Sequence, residues 1–279
     1  MSGSSRLSEI AASIPPIDNV HVFDLEQPRT PDMPVIDSHK PGYYYALHRR
    51  HTDTYDPENR GSRSSASGMI MLMEHSGTHI DALSHQAEHL TLCGGIPAAD
   101  VERHGGFRQH AIEDVPPIVG PAVLLDVPAL LGIDCLETGY LISRDELERC
   151  CTRQNVTINS GDTVLVRTGN AQRWDDEPAY LAGPGVEGRA AEWLADQGVI
   201  AVGADNMAFD VIGRYDEEYG CDQPCHLVLL ARRGVYIIEN LNLEHIAAAG
   251  HWRFDFICLP LKFIGATGSP VRPIAIIRS

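Results

Sequence analysis

No stretch of the chain approaches the roughly 20 consecutive apolar residues that a membrane-crossing helix requires, so a bilayer is not an expected partner. Positive charge is also scarce: 22 Lys and Arg stand against 38 Asp and Glu, a formal net charge of −16. That balance argues against a nucleic-acid backbone or an anionic lipid surface as a partner. It leaves a small substrate open, because a local site can differ in sign from the surface around it. The seven cysteines show no repeated short spacing. An odd count in a long chain speaks for free thiols in a reducing compartment and against a disulfide scaffold. Cys221-x3-Cys225-His226 has no second pair nearby, so it too reads as isolated thiols. The opening MSGSSRLSEIAASIPP lacks the basic-then-apolar layout of a secretory signal, and a cytoplasmic protein is expected. There is no Gly-x-Ser-x-Gly elbow to support a serine hydrolase, and Gly183-Pro184-Gly185 is a turn without phosphate-loop spacing.

What is present is an ordinary globular composition, 43% hydrophobic and 22% charged over 279 residues, enough for a sizeable core. Residues 6–14 read as a short amphipathic helix stopped by Pro15-Pro16. Strands are expected at Val20–Leu25, Tyr43–Leu47, Val123–Val127, Asp162–Arg167, Val199–Gly203, Val235–Ile238 and Ile274–Ile277. The apolar run MIMLMEH at 69–75 is long enough for a buried strand, and the polar stretch 53–68 before it reads as a long surface loop. Ser143 with Glu146 three residues on is a capping box that starts a helix running to Cys151. A second helix is expected over Glu187–Gln197, ended by Gly198. With no repeats and no linker, a single mixed α/β domain is the economical reading.

The densest chemistry lies in EHSGTHIDALSH at 74–85, which holds His75, His79, Asp81 and His85. On a helix, His75 and His79 would share a face at i and i+4, but Asp81 would point away from His79. Gly77 and the β-branched Thr78 and Ile80 weaken a helix further. In an extended chain His79 and Asp81 face the same way, and a turn at Ser76-Gly77 can fold His75 back beside them. Two imidazoles and a carboxylate suit a divalent first-row metal, zinc or manganese, with a position left open for water. A lone histidine would be a surface group; three with an aspartate directly after an apolar run read as a site.

His226 opens the run HLVLLARRGVYIIENL, and Glu239 ends the strand within it. A carboxylate following VYII either meets a metal or histidine in the interior or reaches solvent at the strand end, and the residues alone leave both open. Asp205 and Asp210 flank a loop after a strand, where function and turn chemistry explain them equally.

His75-Ser76-Gly77-Thr78-His79-Ile80-Asp81 followed by His85 resembles the HxGTHxDxxxH motif of the cyclase-like metal hydrolases, which include kynurenine formamidases and isatin hydrolases. Supporting similarity runs from Phe23-Asp24-Leu25 and Pro31-Asp32-Met33-Pro34, through His226 and Ile238-Glu239-Asn240-Leu241, to Leu259–Lys262 and Gly268–Arg272. The resemblance implies one domain with a twisted, partly barrel-like mixed sheet and flanking helices, assembled as a homo-oligomer, dimer or tetramer. It implies His75, His79 and Asp81 as ligands of a first metal and His85 as the general acid/base. His226 and Glu239 would complete a second metal site, with Asp81 bridging.

The formamidases usually read Asp-Ala-Pro where this chain has Asp81-Ala82-Leu83, so the wording is closer to the isatin hydrolases. The expected activity is therefore hydrolysis of an aromatic-linked amide by metal-bound hydroxide, above all opening of a cyclic amide such as isatin to isatinate. Tyr43, Tyr45 and Phe209 are candidate walls for a flat substrate. Arylformamidase action on N-formylkynurenine is the alternative, with a dehydratase or lactone hydrolase beyond it. Outside catalysis, a metal-storing or ligand-binding protein remains. His85 separates the classes, since binding needs no proton-handling group beside three ligands and hydrolysis does.

Overall fold

The computed structural model describes residues 19–278, so the helix expected over 6–14 lies outside the described residues. Eleven strands carry the argument, and we number them in chain order. They are β1 (Val20–Asp24), β2 (Tyr43–Arg49), β3 (Ser67–Leu72), β4 (His79–Asp81), β5 (Ile118–Asp126) and β6 (Thr163–Arg167). After these come β7 (Ala201–Ala204), β8 (Tyr236–Glu239), β9 (Arg253–Cys258), β10 (Gly268–Pro270) and β11 (Ile274–Arg278). Nine of them form one curled, half-barrel sheet in the order β1-β11-β9-β5-β6-β7-β8-β4-β10. The run β5-β6-β7-β8 is parallel, and the pairs on either side of it are antiparallel.

The parallel strands are apolar on both faces, as strands covered on both sides must be. Val123, Leu125, Val164, Val166, Val202 and Ile237 point toward one core, while Ala122, Leu124, Leu165, Ala201 and Ile238 point toward the other. The first core is closed by α1 (Arg144–Gln154) and α2 (Gly188–Asp196), which bring Leu147, Cys150, Ala190, Ala191 and Leu194. The capping box is formed as its sequence predicts: the Ser143 amide donates to Glu146 Oε2 (2.8 Å) and the Glu146 amide to Ser143 Oγ (3.4 Å). α1 continues past Cys151 to Gln154 and ends at Asn155 in the left-handed region. All the cysteines are free thiols. No helix among the described residues is long and apolar enough to cross a membrane.

The run at 69–75 departs from expectation. β3 ends at Leu72 and pairs only with β2, in a two-stranded hairpin separate from the nine-stranded sheet. Unattached to a covered sheet, its apolar residues face solvent, with Ile70 60% and Met71 53% exposed. The segment joining the hairpin strands, which takes in most of the polar stretch 53–68, contains two short helical turns, His51–Thr54 and Pro57–Arg60, and the end of that stretch, Ser67 and Gly68, already belongs to β3.

Candidate metal centre

β4 lies between β8 and β10, and the register does the assembling. His79 sits opposite Glu239 and Asp81 opposite Ile237. Residues facing one another across an antiparallel pair share a face, so His79, Asp81 and Glu239 project together from the sheet. Ile80 and Ile238, in between, point into the opposite core.

The turn before β4 is held as tightly as the strand. Gly77 has φ +61°, where a Cβ would also stand 2.5 Å from the Arg29 guanidinium. That guanidinium donates to the carbonyls of Ser76 and Thr78. The Thr78 hydroxyl donates to the Asn240 carbonyl (2.6 Å), and Asn240 Nδ2 returns a bond to the Gly77 carbonyl (2.9 Å). His75 is thereby folded back, its Nδ1 2.7 Å from Asp81 Oδ1.

The third imidazole arrives from the helix layer. A helical turn at Pro224–His226 runs into a π-helix at Leu227–Arg233, a rare geometry often found at functional sites. Asp210 accepts from the amides of Cys225 (2.8 Å) and His226 (3.2 Å), which fixes the start of that turn. It also accepts from His226 Nδ1 (2.8 Å), leaving Nε2 turned toward Asp81 and Glu239. Asp210 is thus the partner that orients His226, a role its sequence context did not reveal. His79 is arranged alike: Nδ1 donates to the Gly77 carbonyl (2.8 Å), and Nε2 faces Glu239 Oε2 at 3.2 Å.

Unpaired atoms test the fit to a cation. Asp81 Oδ2 and Glu239 Oε1 are buried without a hydrogen bond. His226 Nε2 stands 3.6 and 3.2 Å from them, but with Nδ1 donating elsewhere a neutral ring has only a lone pair to offer. Buried carboxylate oxygens facing imidazole lone pairs need positive charge among them. Protons can supply it. Burial disfavours a charged His79, yet its contacts with Asp81 and Glu239 outweigh burial and hold the ring up to about 10. His226 is likewise raised against burial, by Asp210, Asp81 and Glu239. The same atoms would be satisfied by a divalent cation in place of those protons. Atoms able to hold a cation lie in two groups, His75-His79-Asp81 and Asp81-His85-His226, each within 4.8 Å of one another. Two imidazoles with a carboxylate in the first group fit zinc or manganese.

His85 ends the short 3-10 turn Leu83–His85, and its ring stacks on His75 with centroids 3.8 Å apart. Burial pushes it down to about 3; Asp81 resists, while His75 and His226 add to the depression. Its neutral form is the one present at physiological pH. His39, which sequence reasoning passed over, joins the cluster edge-on to His75, with Nδ1 3.1 Å from the His75 carbonyl.

The three candidate aromatic walls fall elsewhere. Phe209 is 0% exposed, packed in the core between the sheet and the two helices, so it offers no surface to a ligand. Tyr45 lies on the exposed hairpin, against Gly68. Tyr43 lines a cleft of about 590 Å³ with Met33, Val35, Lys40 and Glu177, and none of the clustered histidines lines it.

A family model described as "Putative cyclase" matches residues 23–211. Cyclase-like protein 3 from Oryza sativa subsp. japonica is 31% identical over 223 residues, covering 77% of this chain and 67% of that protein. A kynurenine formamidase from Bacillus mycoides (strain KBAB4) is 26% identical, covering 90% of this chain and 95% of its own. Among solved structures, one titled as a novel cyclase superposes with a TM-score of 0.80 at 30% identity, over 96% of this chain and 89% of that one. Isatin hydrolase A from Ralstonia solanacearum superposes at 0.72 with 22% identity, over 100% and 98%, a likeness of fold.

Proposed function

The chain belongs to the putative cyclase family, and from that premise we propose that it is a metal-dependent hydrolase of amides joined to, or fused with, an aromatic ring. The observation that carries the reading is the pair of orphaned oxygens, Asp81 Oδ2 and Glu239 Oε1, buried among three imidazoles. His75, His79 and Asp81 would hold a first cation, Mn2+ or Zn2+, and Asp81, His226 and Glu239 a second. When bound, such a cation supplies Lewis acidity to a carbonyl and acidifies water.

The chain's own groups would manage the proton. His85 stacks on one proposed ligand, and its imidazole makes no side-chain hydrogen bond among the described residues. Neutral and uncommitted, it can take a proton from the attacking water as the C–O bond forms. It then returns that proton to the departing nitrogen as the C–N bond breaks. A protein that only stored metal would have no use for this fourth group.

Motif wording at Asp81-Ala82-Leu83 favours a cyclic amide such as isatin. Similarity to the Bacillus formamidases supports the second reading, hydrolysis of N-formylkynurenine. Turnover of both compounds by manganese-loaded and zinc-loaded protein decides between them, and hydrolysis of neither compound with either metal refutes the proposal. We further propose a homo-oligomer, supported by apolar side chains on both faces of the β2–β3 hairpin.

A further inference from the structure

We propose that Glu74 and Thr267 are positioning residues for His75, which together make Nδ1, rather than Nε2, the nitrogen this histidine presents to a cation. The inference rests on the metal centre argued above and concerns residues outside it.

One hydrogen atom decides the tautomer of His75. Thr267 Oγ1 lies 2.6 Å from Glu74 Oε1 and 2.8 Å from His75 Nε2. A carboxylate only accepts, so the single hydroxyl hydrogen goes to Glu74. The hydroxyl oxygen can then only accept, and Nε2 must carry the proton it receives. His75 Nδ1 is left with its lone pair directed at Asp81 Oδ1, 2.7 Å away. Two acceptors at that separation repel unless a second proton or a cation lies between them, and a cation would take the place of that proton at Nδ1.

The relay is fixed at both ends. Glu74 Oε2 accepts from the Thr267 amide (3.2 Å), so the carboxylate grips both the main chain and the side chain of Thr267. The Thr267 carbonyl accepts from the Ala82 amide (2.9 Å), next to Asp81. The following residue is Gly268, where a Cβ would stand 2.6 Å from His75 Cε1; the ring uses that space. His75 is therefore mounted the opposite way from its neighbours. His79 and His226 spend Nδ1 on Gly77 and Asp210 and present Nε2.

Groups that hold the far nitrogen of a metal-binding histidine typically change metal affinity 10–100-fold, about the effect expected here. The test is calorimetric titration of the metal-free full chain with Mn2+ and with Zn2+. Thr267→Val should weaken binding by about that factor, while Thr267→Ser, which keeps the hydroxyl, should bind as the unchanged chain does. Glu74→Ala frees the hydroxyl to turn either way and should weaken binding in the same direction, which preserves the test if the valine variant does not fold. Nitrogen-15 spectra of the zinc-loaded chain should show His75 coordinated through Nδ1 and protonated on Nε2. Unchanged affinity in both Thr267→Val and Glu74→Ala, or coordination of His75 through Nε2, overturns the relay alone. Failure of the unchanged chain to bind either metal overturns the relay and the metal centre together.

Discussion

The β2–β3 hairpin and the β4–β8 pair are both antiparallel ladders, and their sequences invite the wrong assignment. The hairpin contributes Met69-Ile70-Met71-Leu72, which reads as a buried strand, yet it stands in solvent. β4 is His79-Ile80-Asp81, two ionisable residues in three, and all three are buried. Burial here follows attachment. β4 and β8 belong to a sheet with seven other strands, and the π-helix packs against β8, whereas the hairpin joins no third strand. Ionisable groups endure in the β4–β8 pair because imidazoles and carboxylates face one another there, with two carboxylate oxygens left for a cation or proton to satisfy. Apolar groups remain exposed in the hairpin because nothing within the described chain covers them.

The sharpest way to break this contrast is to remove charge balance from the buried pair. Asp81→Ala deletes the carboxylate shared by both ligand groups, and His79→Ala deletes the imidazole between Asp81 and Glu239. Asp81→Ala should lose bound metal altogether and His79→Ala the first cation, each should lose turnover, and chelation of the unchanged protein should have the same effect on activity. Full metal content by elemental analysis in both variants would sink the assignment.

A smaller loss is expected where a group handles protons without holding metal. His85→Ala should keep its metal and lose roughly 10²–10⁴-fold in rate. Burial depresses the ring to about 3, so its basic form is already present well below the usual imidazole range. The acid limb of the pH–rate profile should accordingly lie low and disappear in the variant. His85 also falls within reach of Asp81 and His226 in the second ligand group. If it is a ligand, the variant will instead lose metal, and excess metal will restore its rate.

Both regions were partly legible beforehand, for different reasons. α1 and its capping box, and the strands of the central sheet, could be read because their determinants are local: a cap three residues from its partner, apolar runs covered on both faces. The first candidate ligands could be read as a cluster because they fall within seven residues. Their supports could not, because those are chosen by the fold. Asp210 reaches His226 across 16 positions, Asn240 reaches Gly77 across 163, and Thr267 reaches His75 across 192. Phe209 is illegible for a related reason: an aromatic after a strand looks the same in sequence whether it lines a cleft or fills a core. Its positive φ of 54° and full burial are tertiary facts.

Glu239 is the residue that the local reading leaves open and the resemblance assigns to a second site, and it separates one metal from two. If it completes a second site with His226 and Asp81, the purified chain should carry close to two metals. Glu239→Ala should reduce that to one, with a smaller loss of activity than Asp81→Ala. A single metal, unaffected by the substitution, would leave Glu239 as a partner that orients His79 and His226.

The smallest effect on the folded chain, and the most direct test of what the hairpin is for, comes from its two faces. Cross-strand pairing puts Tyr45 beside Ile70 on one face and Tyr44 beside Met71 on the other, so neither face is a polar back. An isolated two-stranded hairpin is marginal in water, and apolar side chains on both sides add a cost that burial against another surface removes. Ile70→Ser and Met71→Ser alter exposed positions, and each should change the stability of a lone chain by no more than about 0.5 kcal/mol. If copies of the chain cover the hairpin, the same substitutions should shift the mass measured by sedimentation toward the monomer, and the pair together should shift it further. Sedimentation of the unchanged protein as a monomer at micromolar concentration would refute the assembly. An oligomer whose mass ignored substitutions on both faces would place the interface elsewhere and leave the exposed hairpin without this explanation.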